Sequence, residues 1–211
     1  MDFVLFGIQG SGKGTQARQL VDRFGFQYFE TGAALRLLAS ESSPLGQKVK
    51  SIIEAGRLVP NEVVMEIIED FMKKIPHASK IVFDGIPRQT EQAETFDALM
   101  QNHHRDFRGI LFELSREKAE QRLLKRRMCT VCKTIYPADF EKENCEKCGG
   151  ALAVRKDDNL ESIRIRLDLF EQETIPVVER YKKKDRMISI NADQSIEAVN
   201  EEFLNKLHQY V

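Results

Sequence analysis

The chain has 211 residues, 42% hydrophobic and 31% charged, with a formal net charge of −1. That balance suits one core domain with room for small insertions. It lacks the basic surplus of an electrostatic nucleic-acid binder.

The opening apolar run Phe3–Phe6 is too short for a signal-peptide core or a bilayer span. A cytoplasmic protein with no membrane and no nucleic-acid partner is therefore expected. The run reads instead as a buried strand over Asp2–Phe6. Gly7 to Gln16 follows as Gly-Ile-Gln-Gly-Ser-Gly-Lys-Gly-Thr-Gln, and a helix is predicted over Lys13–Phe24. Strand, glycine-rich turn, lysine and helix make a phosphate cradle. Glycines let backbone N–H groups converge on phosphate oxygens, and the helix start adds partial positive charge. Lys13 is suited to the outer phosphates. The general pattern puts Ser or Thr directly after the lysine, on magnesium. Here Gly14 stands there and Thr15 follows. Either Thr15 takes that role or phosphates and water hold the ion.

Downstream, a weaker strand near Phe26–Phe29 precedes helices over Gly32–Ser40, Leu45–Ala55 and Glu62–Lys74. Between about Thr31 and Val59 no strong strand is visible, and Ser42-Ser43-Pro44 and Gly56 punctuate the stretch. Strand Lys80–Asp84, helix Thr90–Asn102, strand Gly109–Leu114 and helix Arg116–Arg127 come next. A turn-rich unit then occupies Met128–Asp158. Helix Asn159–Lys183, strand Met187–Ile190 and helix Ser195–Gln209 complete the series. Pro176 should kink or interrupt its helix. Apolar strands alternating with helices predict an α/β fold, a parallel sheet covered by helices on both faces. The two irregular stretches read as insertions at strand ends.

Cys129, Cys132, Cys145 and Cys148 form two C-x2-C knuckles twelve residues apart. Four thiolates at that spacing can surround one zinc, closing its coordination sphere. Disulfides would be unusual in a reducing cytosol. Asp84 ends its predicted strand beside the phosphate loop, a place suited to orienting hydrated magnesium. The turn Gly85-Ile86-Pro87 then presents Arg88. Arg122, Arg126 and Arg127 enter the cysteine unit and Arg155 leaves it, so several guanidinium groups can converge on a transferring phosphoryl group. On the helix from Asn159, Arg164 and Arg166 fall on opposite shoulders of the apolar stripe, so only one can face a given ligand. His77, His103, His104 and His208 sit in no motif and read as solvated surface. A reaction without a general base, such as attack by an anionic phosphate oxygen, fits that.

Taken in order, these motifs resemble the adenylate kinase family, in its longer form with a zinc-bearing lid. The likeness runs from Gly7–Gln16 through Thr31-Gly32 with Arg36, Ala55-Gly56-Arg57-Leu58-Val59, and Asp84-Gly85-Ile86-Pro87-Arg88 with Gln92. It continues through Arg126-Arg127, the four cysteines, and Arg155-Lys156-Asp157-Asp158 with Arg166. The resemblance implies ATP + AMP ⇌ 2 ADP with Mg2+ and a structural Zn2+. It assigns ATP to Gly10, Ser11, Gly12, Lys13, Gly14, Thr15, Arg126, Ile135, Tyr136 and Gln194. It assigns AMP to Thr31, Arg36, Arg57, Leu58, Val59, Gly85, Arg88 and Gln92, with Arg155 and Arg166 bridging the phosphates. Lys13, Asp84, Arg88, Arg126, Arg155 and Arg166 form the implied catalytic set. Gln92 is expected both to donate to and to accept from the adenine edge. The implied division is a core of 1–30, 60–121 and 160–211, a helical AMP-binding insertion of 31–59, and a lid of 122–159. A monomer acting on ATP, AMP and ADP is expected. Gln9, Ala33, Ile86 and Lys125 depart from the usual family residues, which are proline, aspartate, phenylalanine and glycine. The alternatives are a UMP or CMP kinase, a P-loop switch protein without kinase activity, and a zinc-ribbon nucleic-acid binder.

Overall fold

The computed structural model describes residues 1–137, 140–155 and 157–210. Lys156, part of one motif above, lies outside the described residues. In chain order the elements are β1 (Asp2–Gly7), α1 (Lys13–Phe24), β2 (Gln27–Glu30), α2 (Thr31–Ala39), α3 (Pro44–Glu54) and α4 (Asn61–Lys74). Then come β3 (Ile81–Asp84), α5 (Thr90–Asn102), β4 (Phe107–Glu113) and α6 (Arg116–Lys125). The short strands β5 (Arg127–Cys129), β6 (Ile135–Tyr136) and β7 (Leu152–Ala153) follow. α7 (Leu160–Leu169), a π-helical turn (Phe170–Thr174), α8 (Ile175–Lys183), β8 (Met187–Asn191) and α9 (Ile196–Leu207) close the chain.

The main sheet is parallel, in the order β2-β3-β1-β4-β8. Side chains alternate across it, and both faces are apolar. Val4, Phe6, Phe83 and Phe107 point to one side, against Ile68 of α4, Phe96 of α5 and Tyr181 of α8. Phe3, Leu5, Val82 and Phe112 point to the other, against Leu20 of α1 and Phe203 of α9. Burial on both faces explains why the strands read as continuous apolar runs rather than alternating ones. A smaller cluster joins Ile8 to Ala119 and Leu123 of α6 and Ile163 and Leu167 of α7, under the loop after β1.

Most predicted helix bounds shift by only one or two residues, and two departures have a visible cause. The helix expected over Arg116–Arg127 stops at Lys125, because Arg126 is extended and Arg127 enters β5. The one expected over Asn159–Lys183 widens into a π turn at Phe170–Thr174, just before Pro176. Proline cannot donate to the preceding turn, and its ring clashes with the carbonyl four residues back. A wider turn relieves both problems without ending the helix. The turn also brings buried Thr174 to donate to the Arg88 carbonyl at 3.0 Å. The cysteine unit folds as a small antiparallel sheet, β6-β5-β7. Among the described residues no helix is long and apolar enough to cross a membrane.

Candidate active site

β1 lies between β3 and β4, and its connection leaves for the far edge at β2. Such a reversal of strand order opens a crevice beyond the C-terminal strand ends. A cleft of about 900 Å3 sits there. It is bounded by the loop after β1, by α2 and the segment after α3, and by the hairpin around Ile135. Every nucleotide-site residue named in the sequence lines it, whereas the four cysteines lie apart in the small sheet.

The loop after β1 needs glycine at two points. Gly12 caps α1 at φ 87°. Gly10 has φ 90°, and a Cβ there would come within 3.0 Å of the Ala119 carbonyl oxygen. Lys13 curls back over this loop, donating from Nζ to the Gly7 carbonyl at 2.6 Å and the Ile8 carbonyl at 3.2 Å. Burial lowers its ammonium to about 8, Arg88 and Arg126 push the same way, and Asp84 opposes them. Its charge is thus expensive until an anion arrives.

Asp84 ends β3 and is buried, and burial raises its carboxyl above the ordinary range while Lys13 pulls it back. Tyr28 donates from its hydroxyl to Asp84 Oδ2 at 3.0 Å. The β2–β3 register places Tyr28 beside Val82 and Glu30 beside Asp84. Two carboxylates therefore stand side by side at the sheet edge, a repulsive arrangement unless cations share the space. A Cβ on Gly14 would lie 3.3 Å from the Tyr28 hydroxyl and 3.7 Å from Asp84 Oδ2. The position where the general pattern carries Ser or Thr is thus crowded by these two groups. Thr15 is exposed on the cleft. Asp84 and Thr15 offer the hard oxygen donors that hydrated magnesium accepts.

On the α2 side, Arg36 pairs with Glu30 at 2.8 Å and lies across Gly32, whose Cβ would stand 3.0 Å from Nη1. Arg88 folds back in the same way, donating from Nε to the Gly85 carbonyl at 2.8 Å. Burial lowers both guanidinium groups, and neighbouring arginines lower them further. Thr31 is buried and its hydroxyl has no partner among the described residues. Val59 is buried, Leu58 half-buried and Arg57 exposed at the rim. Gln92 is buried, and its Oε1 accepts the Arg88 backbone N–H at 2.9 Å. That bond anchors the amide and leaves Oε1 a second lone pair, so the side chain keeps both an acceptor and its NH2 donors for a ligand.

On the opposite side, Arg126 donates from Nε and Nη2 to the two oxygens of Asp158 at 2.9 and 2.7 Å. Arg166 donates to Asp158 Oδ1 at 2.8 Å, and Arg155 pairs with Asp157. Burial alone would raise Asp157, but Arg155, with Arg166 and Arg36, holds it at about 2. At Arg155 burial pulls downward, and the hydrogen bond and charge of Asp157 outweigh it. Arg164 is exposed beside Glu120, so Arg166 alone of that pair faces the cleft. Arg127 is used within the small sheet, on the Phe140 carbonyl. Tyr136 turns its hydroxyl away from the cleft, onto Cys145 Sγ at 3.1 Å. Exposed Ile135 is left as the apolar contact there, and Gln194 donates to Asn191 and Glu202 at the rim.

The four Sγ atoms lie within 4.8 Å of one another. The pairs Cys129–Cys148 and Cys132–Cys145 stand 3.5 and 3.4 Å apart. That is far beyond a disulfide bond and close to the edge of a tetrahedron with metal–sulfur distances near 2.3 Å. The cluster can hold a metal ion.

Sequence reading missed Tyr28, Glu30 and Asp158 as individual contributors. Tyr28 comes from the weakest predicted strand and Glu30 lies just past its expected end, and only the register of β2 with β3 reveals them. The model of the adenylate kinase family matches residues 5–186. An adenylate kinase of Kosmotoga olearia is 34% identical over 212 residues, covering 98% of this chain and 99% of its own. One of Bacillus subtilis is 33% identical over 204 residues, 94% of each chain. One of Borrelia turicatae is 34% identical over the full length of both. With a family match over most of its length and relatives that align end to end, this chain belongs to the adenylate kinase family.

Proposed function

We propose that the chain moves the γ-phosphoryl group of ATP to AMP, reversibly, with the two nucleotides tail to tail in the one cleft. The observation that carries this reading is the convergence of Lys13, Arg36, Arg88, Arg126, Arg155 and Arg166 on that cleft. A phosphoryl group in transfer spreads negative charge over its oxygens and needs little else than positioning and cations. None of the histidines lines the cleft, in keeping with a nucleophile that is already anionic.

ATP lies on Gly10–Thr15, where backbone N–H groups and the start of α1 receive its phosphates. Lys13 leaves the Gly7 carbonyl for the transferred group. The adenine of ATP rests near Ile135 and Gln194, with Tyr136 supporting the hairpin from within. AMP enters on the other side. Thr31 and Gln92 reach its base, Arg57, Leu58, Val59 and Gly85 wall its pocket, and Arg36 and Arg88 hold its phosphate. Arg126, Arg155 and Arg166 exchange Asp157 and Asp158 for phosphate oxygens.

Asp84 and Thr15 would hold hydrated magnesium, which supplies charge neutralisation to the phosphates when bound. The four cysteines would hold zinc, a closed thiolate site suited to structure rather than chemistry. In this reading 31–59 is the AMP-binding insertion, 122–159 the lid, and 1–30, 60–121 and 160–211 the core. A lid that shuts over both substrates excludes water, the competing nucleophile. The chain works as a cytoplasmic monomer, with ATP, AMP and ADP as its partners.

The test is to mix the protein with MgATP and each of AMP, UMP and CMP and to follow ADP. Rapid ADP formation with AMP, and little with the pyrimidines, is expected. Slow hydrolysis indifferent to AMP would overturn the reading.

A further inference from the structure

Resting on the acceptor site proposed above, we propose that Glu30 is an internal stand-in for the AMP phosphate. It occupies Arg36 until AMP binds, and it thereby sets how tightly AMP binds.

Glu30 is the last residue of β2, and Arg36 lies one and a half turns into the helix that follows directly. Their contact is a single hydrogen bond from Arg36 Nη2 to Glu30 Oε1 at 2.8 Å, with both side chains 31% exposed. Among the described residues Glu30 has no other side-chain hydrogen bond. The pairing draws the guanidinium back across Gly32. An anion arriving from the cleft thus meets an arginine already facing a carboxylate. The arginines across the cleft have counter-ions too, but theirs are deeper: the Asp158 side chain is fully buried and shared by Arg126 and Arg166.

Glu30 also has a poor structural reason for its place. It sits beside Asp84 in the β2–β3 register, and like charges side by side on a sheet repel. Arg36 offsets that repulsion together with Lys13 and Arg88, and its share is lost when a phosphate holds it. AMP must therefore displace Glu30 from Arg36 and leave two carboxylates adjacent. MgATP, seated on the loop after β1, draws Arg126 from Asp158 but does not displace Glu30. The result is a selective weakening of the acceptor.

Calorimetric titration of AMP and, separately, of MgATP into the wild type, Glu30→Gln, Arg36→Ala and the double variant tests this. A half-exposed ion pair contributes modestly, so Glu30→Gln is expected to tighten AMP by about two- to five-fold. MgATP affinity should not change, and the gain should vanish in the Arg36→Ala background. Unchanged or weaker AMP binding in Glu30→Gln would overturn the proposal. So would an equal gain for MgATP, or a gain that survives without Arg36, since either would mean a diffuse field effect. If Arg36→Ala alone leaves AMP affinity intact, the acceptor-site assignment itself has failed. Thermal melting of each variant guards against misfolding, and Glu30→Ser repeats the test without an amide near Arg36.

Discussion

The Tyr28 hydroxyl donates to Asp84 Oδ2 at 3.0 Å, from a strand 56 residues earlier in the chain. Burial pushes the Asp84 carboxyl upward toward its neutral form, and this hydrogen bond opposes that shift and aims the carboxyl. A hydrogen bond to a charged group contributes about 1.5–3 kcal/mol. Tyr28→Phe should therefore lower kcat about tenfold or more and raise the free magnesium needed for half-maximal rate. Steady-state rates over a magnesium series check this, and an unchanged magnesium requirement would contradict it.

Lys13 gives a proton-linked prediction. Burial lowers its ammonium from 10.5 to about 8, so its charge destabilises the nucleotide-free fold at neutral pH. That penalty fades as pH rises from about 8 to 10.5, the range in which the unfolded chain binds more protons than the folded one. A phosphate beside the ammonium reverses the shift. ATP binding at pH 8 should thus take up about half a proton, seen by calorimetry in buffers of different ionisation enthalpy. Lys13→Met should abolish that uptake and cost at least about a hundredfold in kcat, with the metal at the cysteines retained.

Asp158 is buried between Arg126 and Arg166. Removing one partner of a buried pair leaves uncompensated charge and costs about 3 kcal/mol. Asp158→Ala should lower Tm by roughly 10 °C. A polyphosphate ligand should stabilise this variant more than the wild type, because it supplies the missing anion. Equal ligand-induced shifts in the two proteins would contradict that.

Elemental analysis should find one zinc per chain. Chelation, or Cys145→Ser, should lower Tm and weaken MgATP binding while leaving AMP affinity nearly unchanged, because Thr31, Arg36 and Gln92 lie outside the small sheet. Full thermal stability after metal removal would show that the thiolates do not organise the hairpin.

Much of this was legible in the sequence, for identifiable reasons. Strands buried on both faces leave continuous apolar runs, so β1, β3 and β4 stood out and β2 only weakly, and helices α1 and α5 have the predicted bounds. The phosphate loop and the cysteine knuckles are local in sequence and could be read from spacing. Relationships created by register could not. Tyr28 meets Asp84 and Glu30 lies beside it only because β2 pairs with β3 residue for residue. The π turn was half legible: Pro176 announced a disturbance, but helix propensity does not say whether the chain kinks or widens. The anchoring of Gln92 Oε1 by the Arg88 backbone N–H was not legible either, since side-chain chemistry alone does not show which local donor it meets.

The central claim is that one cleft holds both nucleotides, and a crystal structure with a two-headed dinucleotide inhibitor tests it most directly. One adenosine should lie beside Thr31 and Gln92 and the other beside Ile135 and Gln194, with the phosphates between Lys13 and the arginines. A ligand seated elsewhere, or one held by a single head with the other in solvent, would contradict the account.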